Sequence, residues 1–256
     1  MSRSSEVALV TGAGSGIGRA TAIRLARRAS AVVLLDLSEE GLAATASDIE
    51  RDGGTALSAR TDVSDENQVR AAIERAKTKF GPLRTVAACA GIEVLGTALE
   101  MDTADWHKVL AVNLTGVFHT ARHAIPAILE AGGGAFVALS SDAGVQGAQG
   151  FAAYCASKHG VIGLVRCLAL DHGAQGVRSN VVCPGFVETP MASRIFDGMS
   201  HDEIDSWAKT VPLGRFAQPE EVAASIAYLT SDEASYVNGQ VHTLDGGATA
   251  GYYTPT

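Results

Sequence analysis

Tyr154 and Lys158 stand four residues apart in a stretch whose pattern reads as helix, so both side chains share one face. An ammonium held beside a phenol favours the phenolate and lowers its pKa from about 10 toward neutral. A phenol tuned in this way takes a proton from an alcohol or gives one to a ketone. Ser141 lies thirteen residues before Tyr154, just past the apolar run Ala135-Phe136-Val137-Ala138-Leu139. From there its hydroxyl could hold the same substrate oxygen. Taken alone, Tyr-x-x-x-Lys reads equally well as an exposed helix pair.

The N-terminus gives the pair its weight. Val7-Ala8-Leu9-Val10 reads as a short apolar strand, and Arg19 to Arg28 reads as helix. Between them runs Thr11-Gly12-Ala13-Gly14-Ser15-Gly16-Ile17-Gly18. Strand, glycine-rich turn and helix together form the setting in which backbone amides cradle a pyrophosphate at a helix N-terminus. The spacing Gly12-x-x-x-Gly16-x-Gly18 differs from the common G-x-G-x-x-G dinucleotide fingerprint. Together with Tyr154-x-x-x-Lys158 it resembles the short-chain dehydrogenase/reductase family. The resemblance spans nearly the whole chain, through Asp62-Val63, Ala90-Gly91, Asn113, Ser141, Pro184-Gly185 with Thr189, and Asp245-Gly246-Gly247.

Asp36 ends the second strand pattern, about 20 residues beyond the glycines, where a carboxylate accepts hydrogen bonds from ribose hydroxyls and repels a 2′-phosphate. No Arg or Lys follows at Leu37-Ser38, and Ser15 stands where a basic residue would serve NADP. The expected cofactor is therefore NAD. The resemblance implies that Asp62 accepts from the adenine amino group and that Val63 packs on the ring; Asp62 reads alternatively as a cap for the helix near Asp65. It implies that Asn113 marks a helix distortion and holds a water linking Lys158 to solvent. It implies that Val187 and Thr189 contact the nicotinamide carboxamide and that hydride transfer is pro-S. In Ala88-Cys89-Ala90-Gly91 the chain departs from the family's Asn-Asn-Ala-Gly. Cys89 replaces an amide with a thiol, a far weaker hydrogen-bonder. Its backbone is still expected at the adenosine ribose, and with no Lys, Arg or His nearby in sequence it is not expected to be a reactive thiolate.

The elements that must hold these residues alternate. Strands are predicted at 6–11, 31–36, 55–60, 84–89, 135–140, 177–182 and 240–244. Helices are predicted at 17–29, 39–52, 66–79, 103–130, 152–173 and 219–230, with Ser64 and Pro219-Glu220-Glu221 as helix-start signals. This alternation predicts a single α/β domain over residues 1–256, a Rossmann fold with a doubly wound, seven-stranded parallel sheet and the ligand beyond the strands' carboxyl ends. Residues 186–218 break the alternation and are expected to form one or two short helices closing over the substrate.

Composition fits a globular chain: 46% hydrophobic, 19% charged and a net charge of −8, which disfavours nucleic acid and anionic membranes as partners. Disorder is expected for the first five residues and at most the last six. No apolar run reaches the roughly 18 residues of a membrane span, and the start lacks a signal-peptide apolar core, so a cytoplasmic protein is expected. The four cysteines show no Cys-x-x-Cys and read as reduced thiols. His119 and His123, with His107 earlier, lack a third ligand at matching spacing and read as helix surface; no metal is expected.

The function expected is NAD-dependent oxidation of a secondary alcohol to its ketone, reversible in principle, with Tyr154 as general acid/base. A 3-oxoacyl-carrier-protein reductase shares these motifs but would favour NADPH. A cofactor-sensing regulator would often lack the catalytic Tyr or Lys. A nucleotide-sugar epimerase would need a further substrate domain. Glu93, Asp142, Gln149 and Glu188 are candidate substrate-site residues, and their acidity suggests a neutral or polyhydroxylated substrate. The helices at 103–130 and 152–173 carry more apolar residues, among them Val117, Phe118, Ala121, Val161, Leu164 and Val165, than one sheet face obviously covers. The resemblance implies that these helices pair across a two-fold axis and the last strands across another, giving a homotetramer. The tail at 251–256 is expected at a subunit boundary.

Overall fold

A computed structural model of the chain describes residues 6–254. The expectation of disorder for residues 1–5 and the last two residues of the tail lie outside the described residues. Seven parallel strands form one sheet in the order β3-β2-β1-β4-β5-β6-β7. They are β1 Val7–Thr11, β2 Ala31–Asp36, β3 Ala56–Arg60, β4 Thr85–Ala88, β5 Gly134–Leu139, β6 Val177–Pro184 and β7 Val241–Leu244. The helices are α1 Gly16–Leu25, α2 Glu39–Arg51, α3 Glu66–Phe80, α4 Thr103–Leu110, α5 Gly116–Glu130, α6 Ala152–His172, α7 Pro190–Ile195, α8 His201–Ala208 and α9 Pro219–Leu229.

Strand alternation divides the core in two. Val7 and Leu9 face a layer built by α3, α5 and α6, while Ala8 and Val10 face one built by α1, α2 and α9. Both faces of each central strand are thus buried, which is why these strands read as continuous apolar runs. The strand order reverses between β1 and β4, so the crevice above their carboxyl ends is where a ligand is expected.

Four details depart from the sequence reading. The first helix ends at Leu25, because Arg27 and Arg28 bond back three residues and tighten the turn into β2. The start of α3 is capped by Asp65, which accepts from the Asn67 and Gln68 amides, and not by Ser64 or Asp62. The single helix predicted at 103–130 is two, α4 and α5, joined by a π-turn at Ala111–Thr115 where the resemblance implied a distortion. Several apolar positions read as exposed belong to this chain's own core: Val117, Ala121, Val161 and Val165 are at most 3% exposed. Phe118 does remain exposed, and so is Leu170.

Residues 186–218 form two short helices, α7 and α8. They rest on an aromatic knot in which Phe186 meets Trp207 at 5.1 Å and Phe196 stacks on Phe216 at 5.3 Å. Beneath them, Gly246 turns with φ +65, and a Cβ there would lie 2.6 Å from Val211. Among the described residues no helix is long and apolar enough to cross a membrane.

Candidate active site

A cavity of about 650 Å³ runs over the carboxyl ends of the strands at the sheet's switch point. Its far wall is the glycine turn. Gly12 takes φ +67, and a Cβ on it would sit 2.9 Å from the Ala90 backbone, so only glycine lets the β1 and β4 loops meet. Gly18 is tighter still, since its Cβ would fall 2.0 Å from the Gly12 carbonyl oxygen. The start of α1 carries no acidic residue in its first turn, and Ser15 makes no side-chain capping bond there. Its first amides and the Ser15 hydroxyl are therefore available to an anion. Gly16 and Ile17 complete this edge of the cavity.

Asp36 closes the end of the cavity next to the glycine turn. One carboxylate oxygen accepts from the Gly14 amide and the other from the Ser38 amide, both at 2.9 Å. A Cβ on Gly14 would strike that carboxyl. Asp62 also lines the cavity, and its Oδ1 accepts from the Ser64 amide and hydroxyl. Val63 is pinned from behind. The Val63 carbonyl meets His119 Nδ1 at 3.1 Å, and a Cβ on Gly116 would lie 2.7 Å from the valine side chain. His119 is thus buried rather than on the helix surface, and His123 bonds Glu66. Among the described residues no group of three His, Cys, Asp or Glu could hold a metal ion.

Cys89, Ala90 and Gly91 line the middle of the cavity. The Ala90 amide donates to Thr11 Oγ1 at 3.1 Å. Burial pushes the Cys89 thiol up to about 12, opposed by Thr21 beside it and by Lys158. A cation does therefore lie near this cysteine in space, yet the thiol stays protonated. Pro184 ends β6 and Gly185 follows it, donating its amide to the Leu244 carbonyl. Phe186 O and Glu188 N bridge to Ala217, which leaves the Val187 amide and carbonyl outside that bridge. Thr189 caps α7 through the Ala192 amide and turns its methyl toward Gly16.

The reacting end is built by β5 and α6. Lys158 is 3% exposed, and its Nζ donates to the Leu139 carbonyl at 2.9 Å. It lies 5.5 Å from the centre of the Tyr154 ring. Burial pulls the Lys158 ammonium down to about 8. Burial also holds the Tyr154 phenol well above its ordinary range; the Ser141 hydroxyl opposes this by hydrogen bonding, and the Asp142 and Glu93 carboxylates add to it. The expected lowering of the Tyr154 pKa is thus corrected in direction: burial, with the Asp142 and Glu93 carboxylates adding to it, holds the phenol up. Ser141 Oγ donates to Asp142 Oδ1 at 2.8 Å and accepts from the Ala143 amide. Asp142 is in turn pushed up by burial, with Asp245 adding to it.

Asn113 sits in the π-turn, as the resemblance implied, fully buried and behind the cavity rather than on its lining. Its Oδ1 accepts from the Ile92 amide at 2.8 Å, and its Nδ2 donates to the Ile92 carbonyl and to Ser157 Oγ. The amide thus clamps the β4 loop to α6. Sequence reading missed this clamp, as it missed the pairing of Glu93 with Arg194 at 3.3 Å. It also missed Phe151 in the apolar lining, whereas Met191 and Ile195 come from the segment expected to close over the substrate.

The chain aligns end to end with known proteins. The family model adh_short_C2, described as "Enoyl-(Acyl carrier protein) reductase", matches residues 12–249. Cyclohexanol dehydrogenase from Acinetobacter sp. (strain SE19) is 40% identical over 247 residues, covering 96% of this chain and 95% of its own. Cis-4-hydroxycyclohexanecarboxylate dehydrogenase from Sinomonas cyclohexanicum is 44% identical over 245 residues, 95% of this chain and 96% of that one. The crystal structure of levodione reductase superposes with a TM-score of 0.94 at 35% identity, covering 98% of this chain and 100% of that one. That of a single-substitution variant of actinorhodin polyketide ketoreductase with NADPH gives 0.92 at 36%, covering 96% and 99%. A glycine-rich turn at a helix N-terminus, a Tyr154–Lys158 pair at the cavity and relatives matched over nearly their whole length converge on one conclusion: the chain belongs to the short-chain dehydrogenase/reductase family and is an oxidoreductase acting on CH–OH groups.

Proposed function

We propose that the protein oxidises a compact secondary alcohol with NAD+, and reduces the corresponding ketone in reverse. The observation that carries the cofactor choice is Asp36. Its carboxylate is fixed at the end of β2 by two backbone amides, where a 2′-phosphate would have to lie against a negative charge. Arg60, opposite Asp36 in the β2–β3 register, does not line the cavity. The uncapped start of α1 and the glycines whose Cβ positions are filled by backbone fit a dinucleotide pyrophosphate. When bound, the cofactor supplies the hydride acceptor or donor at its nicotinamide ring.

The chain's own residues handle the proton and the substrate. Tyr154 in its phenol form protonates a ketone oxygen; as phenolate it accepts the alcohol's proton. Ser141 holds the substrate oxygen, oriented by Asp142 and the Ala143 amide. Lys158, anchored on the Leu139 carbonyl, keeps a cation under the phenol and within reach of a nicotinamide ribose. Asp62, Val63, Ala90 and the Cys89 backbone fit the adenosine half, and Pro184, Gly185, Val187 and Thr189 fit the carboxamide. Helices α7 and α8 act as the lid. The −8 net charge supports neither a nucleic-acid partner nor an anionic membrane. Exposed Phe118 and Leu170 support assembly into a homotetramer, which light scattering at micromolar concentration tests directly.

The test is steady-state turnover of secondary alcohols with NAD+ and NADP+ in parallel, with a 3-oxoacyl thioester and NADPH as counter-probe. NAD+ is expected to be favoured at least tenfold in kcat/KM, about 1.4 kcal/mol. Equal use of both cofactors, or preference for the thioester, would overturn the reading.

A further inference from the structure

Glu93 follows the β4 loop into the substrate end of the cavity. Its side chain is only 8% exposed, while Arg194 on α7, which donates Nε–H to its Oε1 at 3.3 Å, is 63% exposed. The other oxygen, Oε2, is buried and has no hydrogen-bond partner among the described residues. The carboxylate also helps to hold the Tyr154 phenol protonated, so it lies near the reacting end of the cavity. Its position is fixed from behind, because Asn113 holds both backbone groups of the preceding residue, Ile92.

A buried carboxylate oxygen with no donor costs stability, because it has lost its water and gained no hydrogen bond in return. The cost is relieved if a ligand brings the donor. Which donor fits follows from the surroundings. Arg194 already balances the Glu93 charge, so a neutral O–H completes the site without adding charge, whereas an ammonium on Glu93 would place a second cation beside Arg194. A carboxylate on the ligand would face both Glu93 and Asp142. The rest of this end is apolar, lined by Ala148, Phe151, Phe186, Met191 and Ile195, and suits a compact carbon skeleton.

We propose that Glu93 determines specificity by accepting a hydrogen bond from a second hydroxyl, so that the preferred substrates are diols or hydroxyketones rather than simple alcohols. This rests on the reading of the cavity as a secondary-alcohol oxidation site.

The experiment compares kcat/KM of the full chain with NAD+ on cyclohexanol, the 1,2-, 1,3- and 1,4-cyclohexanediols, 4-aminocyclohexanol and 4-hydroxycyclohexanecarboxylate. At least one diol is expected to exceed cyclohexanol about tenfold. Glu93→Leu should pull that ratio below about threefold, chiefly through KM of the diol. Glu93→Gln keeps a carbonyl acceptor and should hold the ratio within about threefold of the parent's. Equilibrium NAD+ binding checks that each variant is folded. Cyclohexanol turnover with no diol preference, a diol preference that survives Glu93→Leu, or a preference for the amine or carboxylate each overturns the role of Glu93 while leaving the alcohol-oxidation reading intact. Absence of turnover on every alcohol with either cofactor overturns both.

Discussion

Replacing Lys158 with Met should make the protein more stable while removing its activity. The Lys158 ammonium is pulled from 10.5 to about 8 by burial. At about 1.4 kcal/mol per pKa unit, that is about 3 kcal/mol of folding free energy lost by keeping the cation inside. Methionine fills similar volume without charge, but gives up the bond to the Leu139 carbonyl, which costs about 1–2 kcal/mol. The net gain is about 1–2 kcal/mol, or a rise in Tm of about 3–6 °C for a chain of this size. The pH dependence is distinctive. Between pH 8 and 10.5 the unfolded chain binds the proton that folded Lys158 has released, so the parent's stability rises with pH across that window. The variant's advantage is therefore fully present below about pH 8 and disappears as pH approaches 10.5. Urea melts of parent and variant at pH 7 and pH 10 measure it. A variant less stable than its parent at pH 7, or one with the same advantage at both pH values, would refute the claim that the cation is held against its solvation.

Tyr154→Phe should lower kcat by about a hundredfold or more, the usual worth of a general acid/base group, while NAD+ binds within about threefold of the parent. An ultraviolet difference titration between the two cofactor-free proteins should show no phenolate from Tyr154 below pH 9, since burial holds the phenol up; a phenolate signal near neutrality would contradict this. Asp36→Asn should shrink the NAD+ preference to about threefold or less by removing the charge while keeping an acceptor for Gly14 and Ser38; an undiminished preference in parallel kinetic assays would count against electrostatic discrimination. Cys89→Asn should stabilise the fold by about 0.5–1.5 kcal/mol in thermal melts, because an amide bonds the buried Thr21 hydroxyl better than a thiol does. Destabilisation there would mean the space between Thr21 and Lys158 suits only sulfur.

The parts of the site that sequence reading reached are those that depend on local backbone. Gly12, Gly16 and Gly18 are dictated by positive φ or by backbone contact, and such demands leave few choices of residue. Tyr154 and Lys158 lie on one helical turn, so their spacing alone brings them together. The direction of the Tyr154 pKa could not be read in this way. It depends on burial and on Asp142 and Glu93, which arrive from other elements. Glu93 and Arg194 are 101 positions apart, and no local pattern links them. The apolar surplus on α5 and α6 was misjudged for a similar reason: α5 packs on both α3 and the sheet, and α6 on the sheet, α4 and the π-turn, so more than one stripe of each is core. Asp65 rather than Ser64 caps α3 because Asp65 is the extended residue immediately before the helix, while Ser64 lies one position further out in the Asx turn of Asp62.

The π-turn between α4 and α5 amounts to a one-residue insertion preserved in the fold. An added residue advances the helix by about 100°, so the two helices are out of phase by roughly a quarter turn. That offset lets Asn113 face Ile92 and Ser157, while Val117, Ala121 and Ile128 a few residues later all lie in the sheet-facing core. Excising any one residue between 111 and 115 would restore a continuous α-helix. Either the clamp on Ile92 or the packing of α5 would then have to turn away. A substitution can weaken this segment, but only a length change can rephase it. Among descendants of this chain, insertions and deletions here should be purged far more strictly than point changes.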